Sequence, residues 1–334
     1  MRAAVFGSGS WGTTFARVLC DAGNDVRLWA RRPELAEAIN DAHENADYLP
    51  GQRLPQALRA TADPALAADG TALVVLAVPS QCLRASLVAW SSCLPSDAML
   101  LSLIKGVELD TCKRMSEVVR EVTDAPVERV AVVSGPNLAG EVAARQPAAA
   151  VVASTDQVTA EKVQDACHTA YFRAYTGTDV TGAELGGATK NVIALAVGIA
   201  IGMGFGDNTR AMLITRGLAE TGRLGAAMGA EMQTFAGLAG VGDLVATCGS
   251  PLSRNRSFGE RLGRGEPLER ILTESRQIAE GVRSCVAIRD MARAHGVEMP
   301  ITEAVVRVVH GDASPSDAVR ELMSRTAKPE WYGH

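Results

Sequence analysis

Several groups of residues have the types and spacing to do chemistry. The first is Gly7-Ser8-Gly9-Ser10-Trp11-Gly12, the pattern G-x-G-x-x-G. It stands between the apolar run Ala3-Ala4-Val5-Phe6 and a helically spaced segment, 13–19. In that setting Gly7 allows the tight turn out of a strand. Gly9 has no Cβ to keep a pyrophosphate from the backbone, and Gly12 lets the helix pack close to the strand. The free N–H groups and dipole at the helix start attract the negative pyrophosphate. A glycine-rich turn without a ligand would show the same residues. The strand–turn–helix context, with a second strand at 25–29, favours dinucleotide binding. NAD-specific folds usually place Asp or Glu at the end of that second strand. This chain has Ala30-Arg31-Arg32-Pro33. Two guanidinium groups suit a 2′-phosphate and favour NADP over NAD, whereas a merely solvated basic turn leaves both usable.

The second group centres on Lys190, in a helical stretch at 184–204 that is hydrophobic nearly all round. Such a helix is buried, and burial disfavours the ammonium form and lowers a lysine's pKa. A second cation, Lys105, would push the same way. A lysine so tuned exchanges a proton near neutral pH, while one near a helix end can simply snorkel to the surface. Gly186-Gly187, one turn earlier, cost the helix about 1 kcal/mol each against alanine. They are tolerable where something approaches the backbone, and a cofactor ring is the natural candidate. Asp243, in the glycine-framed Gly240-Val241-Gly242-Asp243-Leu244 turn, either caps the following helix or anchors a buried lysine by charge pairing. Ser253-Arg254-Asn255-Arg256 reads as a phosphate clamp at a helix N-terminus or as a capped surface helix. Lys105 follows directly on an apolar strand and is either a site residue or a solvated loop lysine.

The elements that must position these groups change character along the chain. Strands are expected at 2–6, 25–29, 72–78, 98–104, 130–134 and about 148–153, with helices at 33–42, 80–92 and 111–123. Continuous apolar strands separated by helices mean a parallel sheet covered on both faces, with ligands beyond the carboxyl ends of its strands. Three of those ends run into Pro79-Ser80, Lys105-Gly106 and Ser134-Gly135-Pro136-Asn137. From about 180 only helices are expected, at 184–204, 209–228, 231–238, 254–264, 268–274, 281–295, 301–310 and 315–325, and the tail from Lys328 to His334 reads as loose. The expected fold is α/β: a Rossmann-type, mostly parallel sheet domain over 1–180, then an all-α substrate and catalytic domain over 181–334.

Bulk properties narrow the function. The 334 residues are 47% hydrophobic and 21% charged with a net charge of −5, which gives no general basis for binding nucleic acid or an anionic membrane. The most apolar run, 192–201, is ten residues, against about twenty needed to insert into a bilayer. The fingerprint begins so early that no leader segment is expected. The seven cysteines are scattered without a C-x-x-C pair. They indicate reduced, structural thiols in a cytoplasmic setting, no metal site, and no cysteine nucleophile with a neighbouring His base.

Taken together, these residues resemble the bacterial NAD(P)-dependent glycerol-3-phosphate dehydrogenases over nearly the whole chain, least in the last ten or so residues. The resemblance rests on the glycine turn with Thr13, on Ser134-Gly135-Pro136, and on Leu185-Gly186-Gly187-Ala188-Thr189-Lys190-Asn191-Val192-Ile193-Ala194. It also rests on Ile214-Thr215-Arg216-Gly217-Leu218-Ala219-Glu220, Gly242-Asp243-Leu244, Ser253-Arg254-Asn255-Arg256-Ser257-Phe258-Gly259 and Met299-Pro300-Ile301-Thr302-Glu303. It implies reversible reduction of dihydroxyacetone phosphate to sn-glycerol 3-phosphate, the glycerophospholipid precursor, by a homodimer. It implies that Lys190 is the proton donor and acceptor, and that Lys105 contacts substrate and nicotinamide. Gly135, Asn137, Asp243, Ser253, Arg254 and Asn255 would hold the substrate. Ser10, Trp11, Arg31, Arg32, Tyr48, Ala139, Arg254, Ile278 and Glu280 would line the cofactor. The chain departs from the family pattern at Asn137, where Thr or Ser is usual, at Asp207, where a small residue is common, and at Ile201, where many relatives carry Asp. The alternatives are a related β-hydroxyacid or sugar-acid dehydrogenase, which would not need the Arg254–Asn255 clamp, and a non-catalytic NADP-binding sensor.

Overall fold

The computed structural model describes residues 1–274, 279–327, 329 and 330. The chain divides into two compact units, Met1–Lys105 with Lys113–Glu184, and Gly106–Cys112 with Leu185–His334.

The first unit alternates strands and helices: β1 (Arg2–Phe6), α1 (Ser10–Asp21), β2 (Asp25–Trp29), α2 (Pro33–Ala42), β3 (Arg59–Thr61), α3 (Pro64–Ala68), β4 (Leu73–Leu76) and α4 (Leu83–Trp90). They are followed by β5 (Met99–Ser102), α5 (Met115–Thr123), β6 (Val130–Ser134), α6 (Ala139–Ala143), β7 (Ala148–Ser154), α7 (Gln157–Cys167) and β8 (Phe172–Gly177). The eight strands form one sheet in the order β3-β2-β1-β4-β5-β6-β7-β8, parallel except for the antiparallel pair β6–β7. Alternate residues of β1 feed opposite cores. Ala3 and Val5 pack with Phe15, Leu19, Leu28 and Val75, while Ala4 and Phe6 pack with Leu76, Leu87, Trp90 and Val118. Burial on both faces is why these strands read as continuous apolar runs. The strand order reverses between β1 and β4, and ligands bind in the crevice beyond the strand ends at such a reversal.

The second unit is helical. It takes in most of α8 (Val180–Gly202), then α9 (Asp207–Ala227), α10 (Met232–Ala236), a π-helical turn (Leu238–Gly242) and α11 (Asp243–Gly249). Next come α12 (Arg254–Gly263), α13 (Leu268–Glu274), α14 (Glu280–Ala294), α15 (Pro300–Val309) and α16 (Pro315–Ser324). Helix α8 meets α12 backbone to backbone. A Cβ on Gly198 would lie 2.0 Å from the Arg256 carbonyl oxygen, and one on Gly202 would lie 2.2 Å from that of Glu260. From α12, a Cβ on Gly259 would lie 2.2 Å from the Leu195 oxygen, and one on Gly263 would lie 2.1 Å from that of Ile199. Glycines four apart on both helices let the two axes close in. Elsewhere, buried Glu220 on α9 accepts from the N–H groups of Ile301 (2.7 Å) and Thr302 (3.2 Å), which are orphan donors at the start of α15.

The structure corrects several expected elements. Strands β4 and β5 are shorter than 72–78 and 98–104. Strand β8 lies at the sheet edge, where Arg173 and Tyr175 are exposed, so it alternates and has no continuous apolar run. Strand β3 is three residues long at the other edge. The expected helix at 80–92 begins as a 3-10 turn, Ser80–Cys82, and the one at 111–123 starts at Met115 because 106–112 pack with the second unit. Asp243 stands in continuous helix rather than in a turn. The ten-residue apolar run belongs to a helix of 23 residues, long and apolar enough to cross a membrane by length and composition. However, 89% of its most apolar window is buried in protein. Of the tail expected to be loose, Lys328 and residues 331–334 lie outside the described residues.

Two outcomes follow for stability. Gly259→Ala should lower the free energy of unfolding by about 2–3 kcal/mol, because backbone must move to admit the methyl group. Gly249→Ala, with open space around the added carbon, should stay within about 0.5 kcal/mol of wild type in chemical denaturation. Burial pushes the Glu220 carboxyl up to about 7 from its ordinary 4.5, against the N–H groups that lower it. A raised acid contributes stability that is present below pH 4.5 and lost as pH rises through 7. Between pH 5 and 7.5 the wild type should therefore lose on the order of 3 kcal/mol relative to Glu220→Gln, read from denaturation midpoints across that range.

Candidate active site

In the first unit the glycine turn has the constraints its sequence implies. Gly7 has φ +126°, and a Cβ there would meet the Ala77 carbonyl oxygen at 2.5 Å; a Cβ on Gly12 would meet the Gly7 oxygen at 1.9 Å. Gly9 has nothing within 4 Å of its Cβ position. Two glycines thus serve the turn and the helix contact, and the third opens a backbone face at the start of α1. Trp11 Nε1 is a buried donor with no partner among the described residues. An open backbone face, a helix N-terminus, an unused donor and the strand-order reversal all suit a dinucleotide's pyrophosphate.

The neighbouring loop is strapped to this turn. Asn45, fully buried, donates from Nδ2 to the Ser8 carbonyl oxygen and to Thr13 Oγ1, both at 2.8 Å. Ser10 Oγ donates to the Tyr48 carbonyl oxygen at 2.7 Å. At the end of β2, Arg31 is exposed and Arg32 is ion-paired with Asp47. The carboxylate facing Arg32 comes from the neighbouring loop. Ala139 opens α6, and its carbonyl accepts from Thr14 Oγ1 at 3.2 Å. Lys105 lies three residues beyond the end of β5, and its Nζ donates to the Gly135 carbonyl oxygen at 2.8 Å. Gly135 has φ +139°, and a Cβ there would press on Ala150 at 3.0 Å. Both amide atoms of Asn137 are buried with no partner among the described residues.

In the second unit Lys190 and Asp243 come together. Lys190 is 8% exposed and Asp243 1% exposed. Lys190 Nζ donates to Asp243 Oδ1 and, at 2.8 Å, to Thr247 Oγ1. Of the two readings of Asp243, charge anchoring is the one observed. Its carboxylate is the counter-charge at contact distance that a buried ammonium needs. The close approach to Gly186 also has a source other than a cofactor ring: a Cβ there would lie 2.3 Å from the Ala239 carbonyl oxygen of the π turn. Cys248, beside this pair, has its thiol pushed up to about 12 by burial, which excludes it as a nucleophile at neutral pH.

Ser253 caps α12 by accepting from the Arg256 N–H at 3.3 Å. Asn255 is buried, donating to Asn191 Oδ1 at 2.8 Å and accepting from the Gly281 N–H at 2.9 Å, so its amide ties α8 to the start of α14. Glu280 opens α14. Desolvation lowers the Arg254 guanidinium pKa, and the Glu280 carboxylate raises it. Ile278 lies outside the described residues. Asp207 is the first residue of α9 and pairs with Arg210 at 2.9 Å, where a helix start favours an acid. Ile201 packs against an apolar cluster containing Val197 and Leu213. Among the described residues no group of His, Cys, Asp and Glu could hold a metal ion. Sequence reasoning missed Thr247, Asn191, Asn45 and Asp47. Thr247 would have emerged from treating 243–249 as helix, since it lies one turn after Asp243.

Residues 2–160 match the model described as NAD-dependent glycerol-3-phosphate dehydrogenase N-terminus, and residues 179–320 match the corresponding C-terminus. The chain belongs to the NAD-dependent glycerol-3-phosphate dehydrogenase family. It is 62% identical over 330 residues to the glycerol-3-phosphate dehydrogenase (NAD(P)+) of Streptomyces griseus, covering 99% of this chain and 98% of the relative. Identity to the Thermobifida fusca protein of the same name is 60% over 333 residues, 99% of each chain. The crystal structure of glycerol-3-phosphate dehydrogenase from Coxiella burnetii superposes with a TM-score of 0.92 at 37% identity, covering 97% of this chain and 99% of that one. The expected α/β architecture, the family and the use of NAD or NADP are thereby shown.

In this family member the Lys190–Asp243 pair should be costly to break. Asp243→Asn removes the carboxylate beside a buried ammonium and should destabilise the chain by about 3–5 kcal/mol. Thr247→Val removes one hydrogen bond and should cost about 1 kcal/mol. Equal losses in chemical denaturation would contradict this ranking.

Proposed function

We propose that this chain catalyses the reversible reduction of dihydroxyacetone phosphate to sn-glycerol 3-phosphate with NADH or NADPH, supplying the glycerophospholipid backbone. The observation that carries the reading is the buried lysine of α8 held by Asp243 and Thr247, in a chain of this family. When bound, the nicotinamide would supply the hydride for reduction of the C2 ketone. Lys190 polarises the ketone and gives its proton to the oxygen as negative charge builds there. In the reverse direction it takes the proton back from the alcohol. Asp243 and Thr247 fix where that ammonium sits, and solvent restores its proton after each turnover.

Lys105, held by the Gly135 carbonyl, contacts the substrate and the nicotinamide. The substrate phosphate is met by Arg254 and the N–H groups at the start of α12, and Ser253, Asn137 and Gly135 complete its surroundings. The unused amide of Asn137 supports that role. The engagement of Asn255 with Asn191 and Gly281 supports a part in aligning α8, α12 and α14 as well as any contact with substrate. Gly7, Gly9, Ser10, Trp11, Gly12, Arg31, Arg32, Tyr48, Ala139, Arg254 and Glu280 line the dinucleotide. The enzyme works in the cytoplasm as a homodimer; free thiols at all seven cysteines support a reducing compartment.

Lys190→Ala should lower kcat by about 10²–10⁴-fold while NADPH binding is kept. Wild-type-like turnover would end the assignment. Parallel assays at saturating nucleotide with dihydroxyacetone phosphate and unphosphorylated dihydroxyacetone test the clamp: Arg254→Ala should raise KM for the phosphorylated triose much more than for the unphosphorylated one.

A further inference from the structure

The end of β2 carries two arginines and no carboxylate, yet one of those arginines is already occupied. Arg32 is ion-paired with Asp47, and both side chains are about half exposed, 50% and 53%. Arg31, beside it, is exposed. Asp47 is held where it is by a closed loop. The Leu54 N–H donates to the His43 carbonyl at 2.7 Å, Glu44 and Arg53 form an isolated antiparallel bridge, and the Gly51 N–H donates to Glu44 Oε1 at 2.7 Å. Inside that loop, buried Asn45 grips Ser8 and Thr13, and the Tyr48 carbonyl grips Ser10. Asn45 and Tyr48, which flank this position, are thus fastened to the glycine turn itself, and from between them the Asp47 carboxylate meets the Arg32 guanidinium just beyond β2.

We propose that Asp47 is a specificity-determining residue for the nucleotide: it competes with a ribose 2′-phosphate for Arg32 and itself accepts from an unphosphorylated ribose 2′-hydroxyl. This rests on the dinucleotide reading of the glycine turn. A carboxylate at this place in the fold is what holds an unphosphorylated ribose, and a guanidinium is what holds a phosphorylated one. Here both are present and bound to each other. An exposed ion pair is weak, so either partner can be drawn away by a ligand. NADP must pull Arg32 from Asp47 and accept the repulsion of the remaining carboxylate, with Arg31 as compensation. NAD leaves the pair closed and uses the carboxylate oxygen that Arg32 does not. The arginine pair that favours NADP by sequence is thereby moderated towards use of both nucleotides.

The test is equilibrium binding of NADPH and NADH to the full chain, followed by nucleotide fluorescence at low ionic strength without substrate. Asp47→Asn, which keeps the shape and removes the charge, should tighten NADPH about threefold to tenfold and leave NADH unchanged or weaker. Adding Arg32→Ala to that variant should abolish the gain. If Asp47→Asn moves the ratio of the two affinities by less than about twofold while both nucleotides bind, the proposal is wrong and the cofactor reading stands. If neither nucleotide binds the wild-type chain, the cofactor reading fails and the proposal with it.

Discussion

A charged amine inside an apolar helix is the constraint around which the second unit is built. Helix α8 is buried along almost its whole length, and an ammonium there is tolerable only with a counter-charge at contact distance. Asp243 provides it from the first residue of α11, where the π turn runs on into α-helix. The π turn before it gives Asp243 its position, and that turn fits against α8 only because residue 186 has no side chain. Thr247, one turn further on, accepts a second hydrogen bond from Lys190. Each of these features would be a defect on its own: a polar atom in a core, a π turn, a glycine in a helix. Together they hold one nitrogen in one place.

The first unit solves a different problem, which is how to present bare backbone to an anion. Parallel strands covered on both faces leave only their ends open, and the order reversal between β1 and β4 opens a crevice there. Gly7 and Gly12 are required by the protein's own contacts, and Gly9 by the space it leaves. The strap from Asn45 to Ser8 and Thr13 means that this turn is braced from outside β1 and α1 as well.

Much of this was legible in the residues. The strand–glycine–helix opening, the change from alternating elements to helices only, and the isolated lysine in an apolar helix all carry strong local signals. What escaped was of two kinds. Strand β8 and the three-residue β3 lie at sheet edges, where solvent on one side removes the continuous apolar run that marks an inner strand. The partners Thr247, Asn191 and Asp47 are ordinary polar residues whose meaning depends on what folding brings beside them. The glycines of 239–243 suggested a turn and hid the helix that puts Thr247 on the face of Asp243. Gly186 was noticed for close approach to backbone, and the Ala239 carbonyl makes such an approach within the protein itself.

The crossing of α8 and α12 has a consequence beyond stability. Most helix pairs touch through side chains, whose rotamers can be exchanged to widen or narrow the gap as a pocket changes its preference. Between Gly198, Gly202, Gly259 and Gly263 there is nothing to exchange, because peptide groups are the contact surface. The spacing of the two axes is therefore a fixed length, like the gap of a calliper locked at its minimum. A descendant of this chain that came to accept a longer or bulkier molecule would have to do so through the residues at 253–255 or through loops, and not by letting these two helices drift apart.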